Sequence, residues 1–405
     1  MKKKYPIPAV VLGMSVNGLG VVRSLAREGI RVIAMDFQTK DRPGLTTRYA
    51  KCYLCSHPKE NPQALVKFLI DLAKKNGDQG ILLPTSDIFN EFVHLNRDQL
   101  SVFFKFALPD VILMEKLFSK QAQFELAKKF NVLTPKTFSP QSIEDVRSIA
   151  GGFRYPVIIK GLNTVTWRAK FGHQKVLIIH SADDLIKNYS NYSLQSLEII
   201  VQEIIQGDDS SHFELITYIS QSGEPLLKFT AQKISQYPCD FGIGSSVKSV
   251  HQAHVAEAGM KILLGMGYRG VGTVEFKREK RDDQFYMIEI NPRLWAQNSL
   301  AAACGQNFPL TVYLDLLGEK LGSIFDFEEG IKWIAFKEDR ASFQGYYRQG
   351  RRRLKDWILT IMTGKRIWAI WDWRDPMPFL KEIKFGFLPF IKVFSRLKRL
   401  SINNT

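Results

Sequence analysis

Apolar and polar residues alternate with a period that changes along the chain. Near the start, PAVVLG (residues 8–13) is an apolar run and Ser15 to Gly20 reads as a polar turn. VVRSLAREG (21–29) then carries apolar positions at helical spacing, and IRVIAMD (30–36) is apolar again. Strand, turn, helix and strand in that order predict a βαβ opening. A helix over 64–75, a strand at ILLP (81–84) and a helical stretch over 89–95 continue the alternation of a doubly wound sheet. A first domain is therefore expected over residues 1–112.

Beyond it the pattern changes. Residues 115–130, EKLFSKQAQFELAKKF, predict a helical bridge, and the extended NVLTPKTF leads into a second domain. From Tyr155 to Asn291 short apolar runs and period-two alternation dominate, in YPVIIK, KVLIIH, EIIVQEII, FELITYI, PLLKFTAQKI, GTVEFK and FYMIEIN. One helix, over about 254–266, interrupts them. This half reads as α+β with long antiparallel pairs.

A length of 405 residues fits two or three domains, and 45% hydrophobic with 24% charged residues excludes a disordered chain. No uncharged run is long and apolar enough to span a bilayer, which excludes a polytopic membrane protein. Four cysteines cannot build a disulfide framework, and MKKKYPIPAVVLG lacks the apolar stretch and cleavage site of a signal peptide, so a cytoplasmic protein is expected. The net charge of +16 is uneven: residues 331–405 hold 17 Lys and Arg against 6 Asp and Glu, or +11. The same stretch holds Trp333, Trp357, Trp368, Trp371 and Trp373, five of the seven tryptophans. Residues 326–405 thus read as a basic, Trp-rich extension to a second domain over 113–325.

Candidate chemistry concentrates in VGTVEFKREKRDDQFYMIEINPR. A hairpin symmetric about residue 282 pairs Glu275 with Glu289 and places Asn291 on the same face, leaving Val274, Phe276, Ile288 and Ile290 on the other. The three polar groups then lie within roughly 5–8 Å of one another. Like charges facing across a ladder repel, and a hard cation shared with substrate phosphates removes the repulsion. Two solvated acids on an open face are the plainer alternative. Lys160 ends the apolar PVIIK, where its ammonium suits a phosphate oxygen or simply the surface. The following loop, GLNTVTWRAKFGHQK (161–175), carries Trp167, Arg168, Lys170 and Lys175 with flexible Gly161 and Gly172, a cover for a polyphosphate, and Glu203 interrupts an apolar run.

Lysine, acid, acid and acid-x-asparagine follow in that order, and with them residues 115–318 resemble the ATP-grasp superfamily, more narrowly its D-aspartate ligase-like carboxylate–amine ligases. The matching pieces are SKQAQFELAKKFNVLTPKTF, YPVIIKG, VQEIIQGDDS, KISQYPCDFGIGS, GVGTVEF and MIEINPR. AVVLGMSVNGLGVVRSLAREGIRVIAMD resembles the Rossmann-like domain that precedes the ATP-binding core in such enzymes. The resemblance implies ATP with Mg²⁺ (Mn²⁺ as the substitute), small-molecule carboxylate and amine substrates, and an acyl-phosphate intermediate. It further implies that Lys120 and Lys160 contact ATP phosphates, that Glu203, Ile204 and Ile205 line the adenine pocket, and that Asp208 or Asp209 faces the ribose. Glu275, Glu289 and Asn291 would hold the metal, Arg293 would reach the transferred phosphate, and Lys233 would stabilise the acyl phosphate.

Two rival readings stand beside it. One is a non-catalytic ATP or metabolite binder of the same fold. The other is a Rossmann-type NAD(P) oxidoreductase acting at GMSVNGLG, which lacks the G-x-G-x-x-G spacing but has Asp36 at the end of its second strand. Thr85, Ser86 and Asp87 follow ILLP at a ligand-prone sheet edge, or simply cap a helix. His212 reads as a satisfied structural histidine, with a place near the nucleotide as the alternative. In the extension, LKDWILTIMTGKRIWAIWDW and FGFLPFIKVFSRLKRL suit the anionic inner face of a membrane, or else pack on the core. No nucleic-acid motif accompanies Arg351 to Arg353, and a homo-oligomer is compatible with the pattern.

Overall fold

The computed structural model describes residues 5–162, 167, 170–171, 176–191 and 197–386. Arg168, Gly172, Lys175 and the tail from 387 onward lie outside the described residues. Three sheets organise the chain. The first is parallel, in the order β3-β2-β1-β4-β5, from β1 (Ala9–Leu12), β2 (Val32–Asp36), β3 (Lys51–Leu54), β4 (Gly80–Pro84) and β5 (Phe104–Lys105). Its central strands are buried on both faces, as expected when crossover helices cover both sides.

The expected polar turn over 15–20 is mostly helix, which runs Val16–Arg27. Gly13 makes the turn instead, at φ 94°, and Gly18 lets the first helical turn close on it: a Cβ at Gly18 would lie 1.9 Å from the Gly13 carbonyl oxygen. Asp36 is consumed locally, accepting from the Met14 N–H (2.7 Å) and Arg42 Nε (2.7 Å). The features that suggested a dinucleotide fingerprint therefore have structural work.

The bridge is two helices, Val111–Phe118 and Lys120–Lys129, split at Ser119, whose hydroxyl accepts from the Ala122 N–H (3.3 Å). The break sets Lys120 at the first turn of the second helix. A small antiparallel sheet follows in the order β6-β9-β7-β8, with β6 (Thr137–Phe138), β7 (Val157–Gly161), β8 (Leu177–Ile179) and β9 (Ile199–Glu203). Val157, Ile159, Ile199 and Val201 pack under its helices, so Lys160 belongs to the opposite face.

The third sheet has seven strands, ordered β14-β13-β10-β11-β12-β15-β16. They are β10 (His212–Ile219), β11 (Pro225–Tyr237), β12 (Ile243–Ser249), β13 (Gly270–Arg278), β14 (Phe285–Asn291), β15 (Lys332–Ile334) and β16 (Arg366–Trp368). One face packs Phe213, Leu215, Val274, Phe276 and Met287 against the helix Ala253–Gly265 and the two bridge helices. The last two strands come from the basic extension, so its first part completes this sheet. Asp375, fully buried, ties the extension to the N-terminal helix through Arg23 Nε (3.0 Å) and to the segment before β3 through Thr47 Oγ1 (2.6 Å) and the Arg48 N–H (3.0 Å). Among the described residues no helix is long and apolar enough to cross a membrane.

Candidate active site

Glu275 pairs with Glu289, and Thr273 with Asn291, across β13 and β14. Beyond Glu275 the ladder slips: Phe276 pairs with Met287, so Ile288 is the extra residue of a β-bulge. Met287 therefore takes the core place expected for Ile288, which is half-buried.

Cross-strand register arranges the opposite face in rows. Glu214 on β10 stands opposite Glu275, which stands opposite Glu289, a row of three acids over three strands. One step along, His212 pairs with Lys277, and Lys233 on β11 sits two residues from Ala231, the partner of Glu214. Acids and bases thus interleave. Lys233 Nζ lies 3.3 Å from Glu275 and 3.9 Å from Glu214, and Asn291 Nδ2 donates to Glu275 Oε1 at 3.2 Å. Lys120 Nζ lies 3.2 Å from Glu289 Oε2, spanning from the bridge to the sheet. Arg293 pairs with Asp87, at the start of the helix that follows β4.

The charges set one another. Burial and then Glu275 push the Glu214 carboxyl up to about 7, against Lys233 and Arg293. Burial opposes the charge on Glu289, but Lys120, Lys160 and Arg293 outweigh it and hold that carboxyl below its usual range. Lys120 and Lys233 stay above the usual lysine value despite burial, through Glu289 for the first and through Glu275 and Glu214 for the second. Lys160 thus acts electrostatically across the cleft, from the small sheet onto Glu289 of the large one.

The connection leaving β9 carries the other expected residues. Glu203 is buried and held by the Arg154 N–H (2.8 Å) and guanidinium (3.1 and 3.2 Å), and Ile205 is buried. The Ile204 N–H donates to the Pro156 carbonyl at 3.4 Å. Asp208 accepts from Ser210 N–H (2.9 Å) and Oγ (2.6 Å) at the head of a short 3₁₀ turn. Asp209 is not turned to a ribose: it is buried and accepts from the Gln236 N–H (3.0 Å), Gln236 Nε2 (2.7 Å) and the Tyr346 hydroxyl (2.7 Å). It is an anchor between sheet and extension. In the covering loop, Trp167 is buried and stacks with Phe171 at 4.3 Å, so its ring is a packing group.

Comparison with known proteins agrees with this architecture. Residues 245–311 match the family model "Carbamoyl-phosphate synthase L chain, ATP binding domain". D-aspartate ligase of Enterococcus faecium is 22% identical over 329 residues, 77% of each chain. Campylobacter jejuni biotin carboxylase, solved as a β-γ-ATP complex, superposes with TM-score 0.63 at 18% identity over 80% of this chain and 74% of that one. A Hydrogenobacter thermophilus 2-oxoglutarate carboxylase biotin carboxylase domain dimer, solved with MgADP and bicarbonate, gives TM-score 0.61 at 17% identity over 81% and 74%. The chain shares the fold of these solved structures.

Lys160 stands on the small sheet and the acid row on the seven-stranded one. Among the described residues no group of three or more His, Cys, Asp or Glu forms a ready cation site. The donor set Glu275, Glu289 and Asn291 still fits a hard divalent ion, being all oxygen and short of a full shell that phosphates can complete. Glu214 breaks the apolar run FELITYI as Glu203 breaks its own, a signal that the sequence reading passes over. His212 is not satisfied, contrary to the structural reading: both ring nitrogens are buried without a hydrogen-bond partner. Burial, Lys233 and Lys277 hold its pKa well below the usual value, so the ring is neutral.

Proposed function

We propose that the protein is an ATP-dependent ligase joining a small-molecule carboxylate to an amine, with release of ADP and phosphate. The observation that carries the reading is the facing of two groups: Lys120, Lys160, Lys233 and Arg293 against Glu275, Glu289 and Asn291, with Glu289 and Lys120 paired at 3.2 Å and Glu275 and Lys233 at 3.3 Å. A carboxylate and ATP are both anions, so the site must first offset repulsion. Lys160 and Lys120 take the phosphates, and Arg293 takes the γ-phosphoryl group as the carboxylate oxygen attacks phosphorus and the bond to ADP breaks. The amine then attacks the acyl carbon, phosphate leaves, and Lys233 steadies the charge on the acyl phosphate. Mg²⁺, or Mn²⁺ in its place, would be held by Glu275, Glu289 and Asn291 and would neutralise charge on the transferring group.

On this reading Glu203, Ile204 and Ile205 border the adenine, Asp208 is the nearer acid to the ribose because Asp209 is occupied, and His212 gains a nucleotide partner. The organisation is a Rossmann-like domain (1–112), an ATP-grasp domain (113–325) and a basic extension (326–405) whose first strands complete the large sheet. We also infer a cytoplasmic enzyme at the inner face of the membrane. The test is ADP release from Mg-ATP over paired panels of acids and amines. Acid- and amine-dependent release is expected. ATP binding without release in any pairing would select a non-catalytic binder, and tight NAD(P) binding without ATP binding would select the oxidoreductase.

A further inference from the structure

The helix Leu354–Met362 has two unlike faces. Trp357 points inward: its ring stacks on Phe343 (centroids 4.6 Å apart, planes at 12°) and its Nε1 donates to Asp339 Oδ2 at 2.8 Å. Ile361, one turn later, is buried. On the outward arc Leu354, Ile358, Leu359 and Met362 are 50, 45, 55 and 64% exposed. At 100° per residue these four fall within one apolar stripe, with Lys355 among them. The inner face holds the helix on the protein, so the stripe is a fixed surface.

Seven lysines and arginines lie between residues 348 and 366 against the single acid Asp356, and with Arg351 paired to Asp240 and Lys365 to Glu328 a net +4 remains. Further along, Trp371 and Trp373 are 42 and 74% exposed, and the Arg374 guanidinium sits 4.8 Å from the Trp373 ring centre. We propose that this face docks on an anionic lipid bilayer, the helix lying in the interface with Leu354, Ile358, Leu359 and Met362 among the acyl chains and the cations at the headgroups. The proposal is independent of the ligase reading. Charge complementarity selects the occupant. A nucleic acid would satisfy the cations and leave the four apolar side chains in water, whereas a lipid interface takes both. Residues 387–405 are basic as well, with four lysines and arginines and no acid, so their charge does not complement this face. A helix of nine residues is too short to span.

The test uses the full chain with vesicles of phosphatidylcholine alone and of phosphatidylcholine mixed with phosphatidylglycerol. Co-sedimentation with the mixed vesicles, weakened by salt, is expected. The surface variant Leu354→Ser/Ile358→Ser/Met362→Ser should bind them about tenfold less while releasing ADP in solution as before. Equal binding to both vesicle types, no binding, or an unaffected triple variant would overturn the proposal. So would a wild-type dimer that the triple variant dissolves without change in vesicle binding, which would assign the face to a second copy. Retained duplex DNA with no lipid binding would assign it to nucleic acid. Loss of binding on Lys392→Glu/Lys398→Glu/Arg399→Glu with the helix variant unaffected would move the membrane contact to the tail.

Discussion

Glu214 and Glu275 stand directly opposite each other on β10 and β13, and a single ammonium, Lys233 Nζ, lies 3.9 Å from one and 3.3 Å from the other. Two carboxylates so placed are tolerated because the cation between them is buried as well. This part of the sheet is therefore a lattice of opposed charges, in which Glu214, Glu289 and Lys233 are each shifted by neighbours from other elements.

Removing the cation should expose that balance. Lys233→Met leaves Glu214 and Glu275 uncompensated, and breaking a buried pair from one side costs about 3–5 kcal/mol. Adding Glu214→Gln in the same chain should recover a large part of the loss, because the surviving acid no longer faces a like charge. Urea unfolding of the two single variants and the double one measures the coupling. Additive losses would mean that Lys233 does not act on Glu214.

Stability should also depend on pH through Glu214. Its carboxyl, ordinarily near 4.5, is pushed up to about 7 in the fold. Between these values the unfolded chain gives up a proton that the folded chain keeps, so the contribution is full below about 4.5 and lost as pH rises through about 7. Over the whole window this amounts to at most about 3 kcal/mol. Denaturation of the nucleotide-free protein across that range should show the decline, and Glu214→Gln should flatten it. An unchanged slope in the variant would place the titration elsewhere.

Much of this was legible in the residues, and the failures have physical causes. Glu275 and Glu289 could be paired because alternation on both strands fixed which residues share a face, and a polar turn marked the hairpin centre. The slip after Glu275 was not legible, since a bulge at Ile288 keeps the apolar composition and changes only the phase. Glu214 and Lys233 were harder still: their meeting with Glu275 depends on strand order in the sheet, which local periodicity does not encode. Asp209 misled for a similar reason, because Tyr346, which claims it, is 137 residues away. In the extension, tryptophan content alone could not separate the buried Trp333 from the exposed Trp373.

Lys160→Ala and Glu289→Ala should each lower turnover by at least about a hundredfold, the scale expected when a group meets charge that develops in the transition state. Neither belongs to a core: Lys160 is half-buried on the cleft face of β7, and the Glu289 side chain is 33% exposed. The two variants should therefore keep the wild-type circular dichroism. Glu289→Ala should also unpair Lys120 and raise the Mg²⁺ concentration required for half-maximal ADP release. Wild-type turnover in either variant would remove the mechanism.

His212 separates stability from binding. Its two nitrogens are buried without a protein partner, and leaving such groups unpaired costs about 1–3 kcal/mol. His212→Leu, similar in bulk and without polar atoms, should therefore be neutral or stabilising in urea unfolding. If a nucleotide hydroxyl or phosphate oxygen is the missing partner, the same substitution should weaken ATP binding by about tenfold, the worth of a lost hydrogen bond in a dry site. Calorimetric titration with Mg-ATP reads this directly, and His212→Gln, which keeps a donor and an acceptor, should restore part of the affinity. Destabilisation by leucine with unchanged ATP affinity would show that the imidazole serves the fold alone.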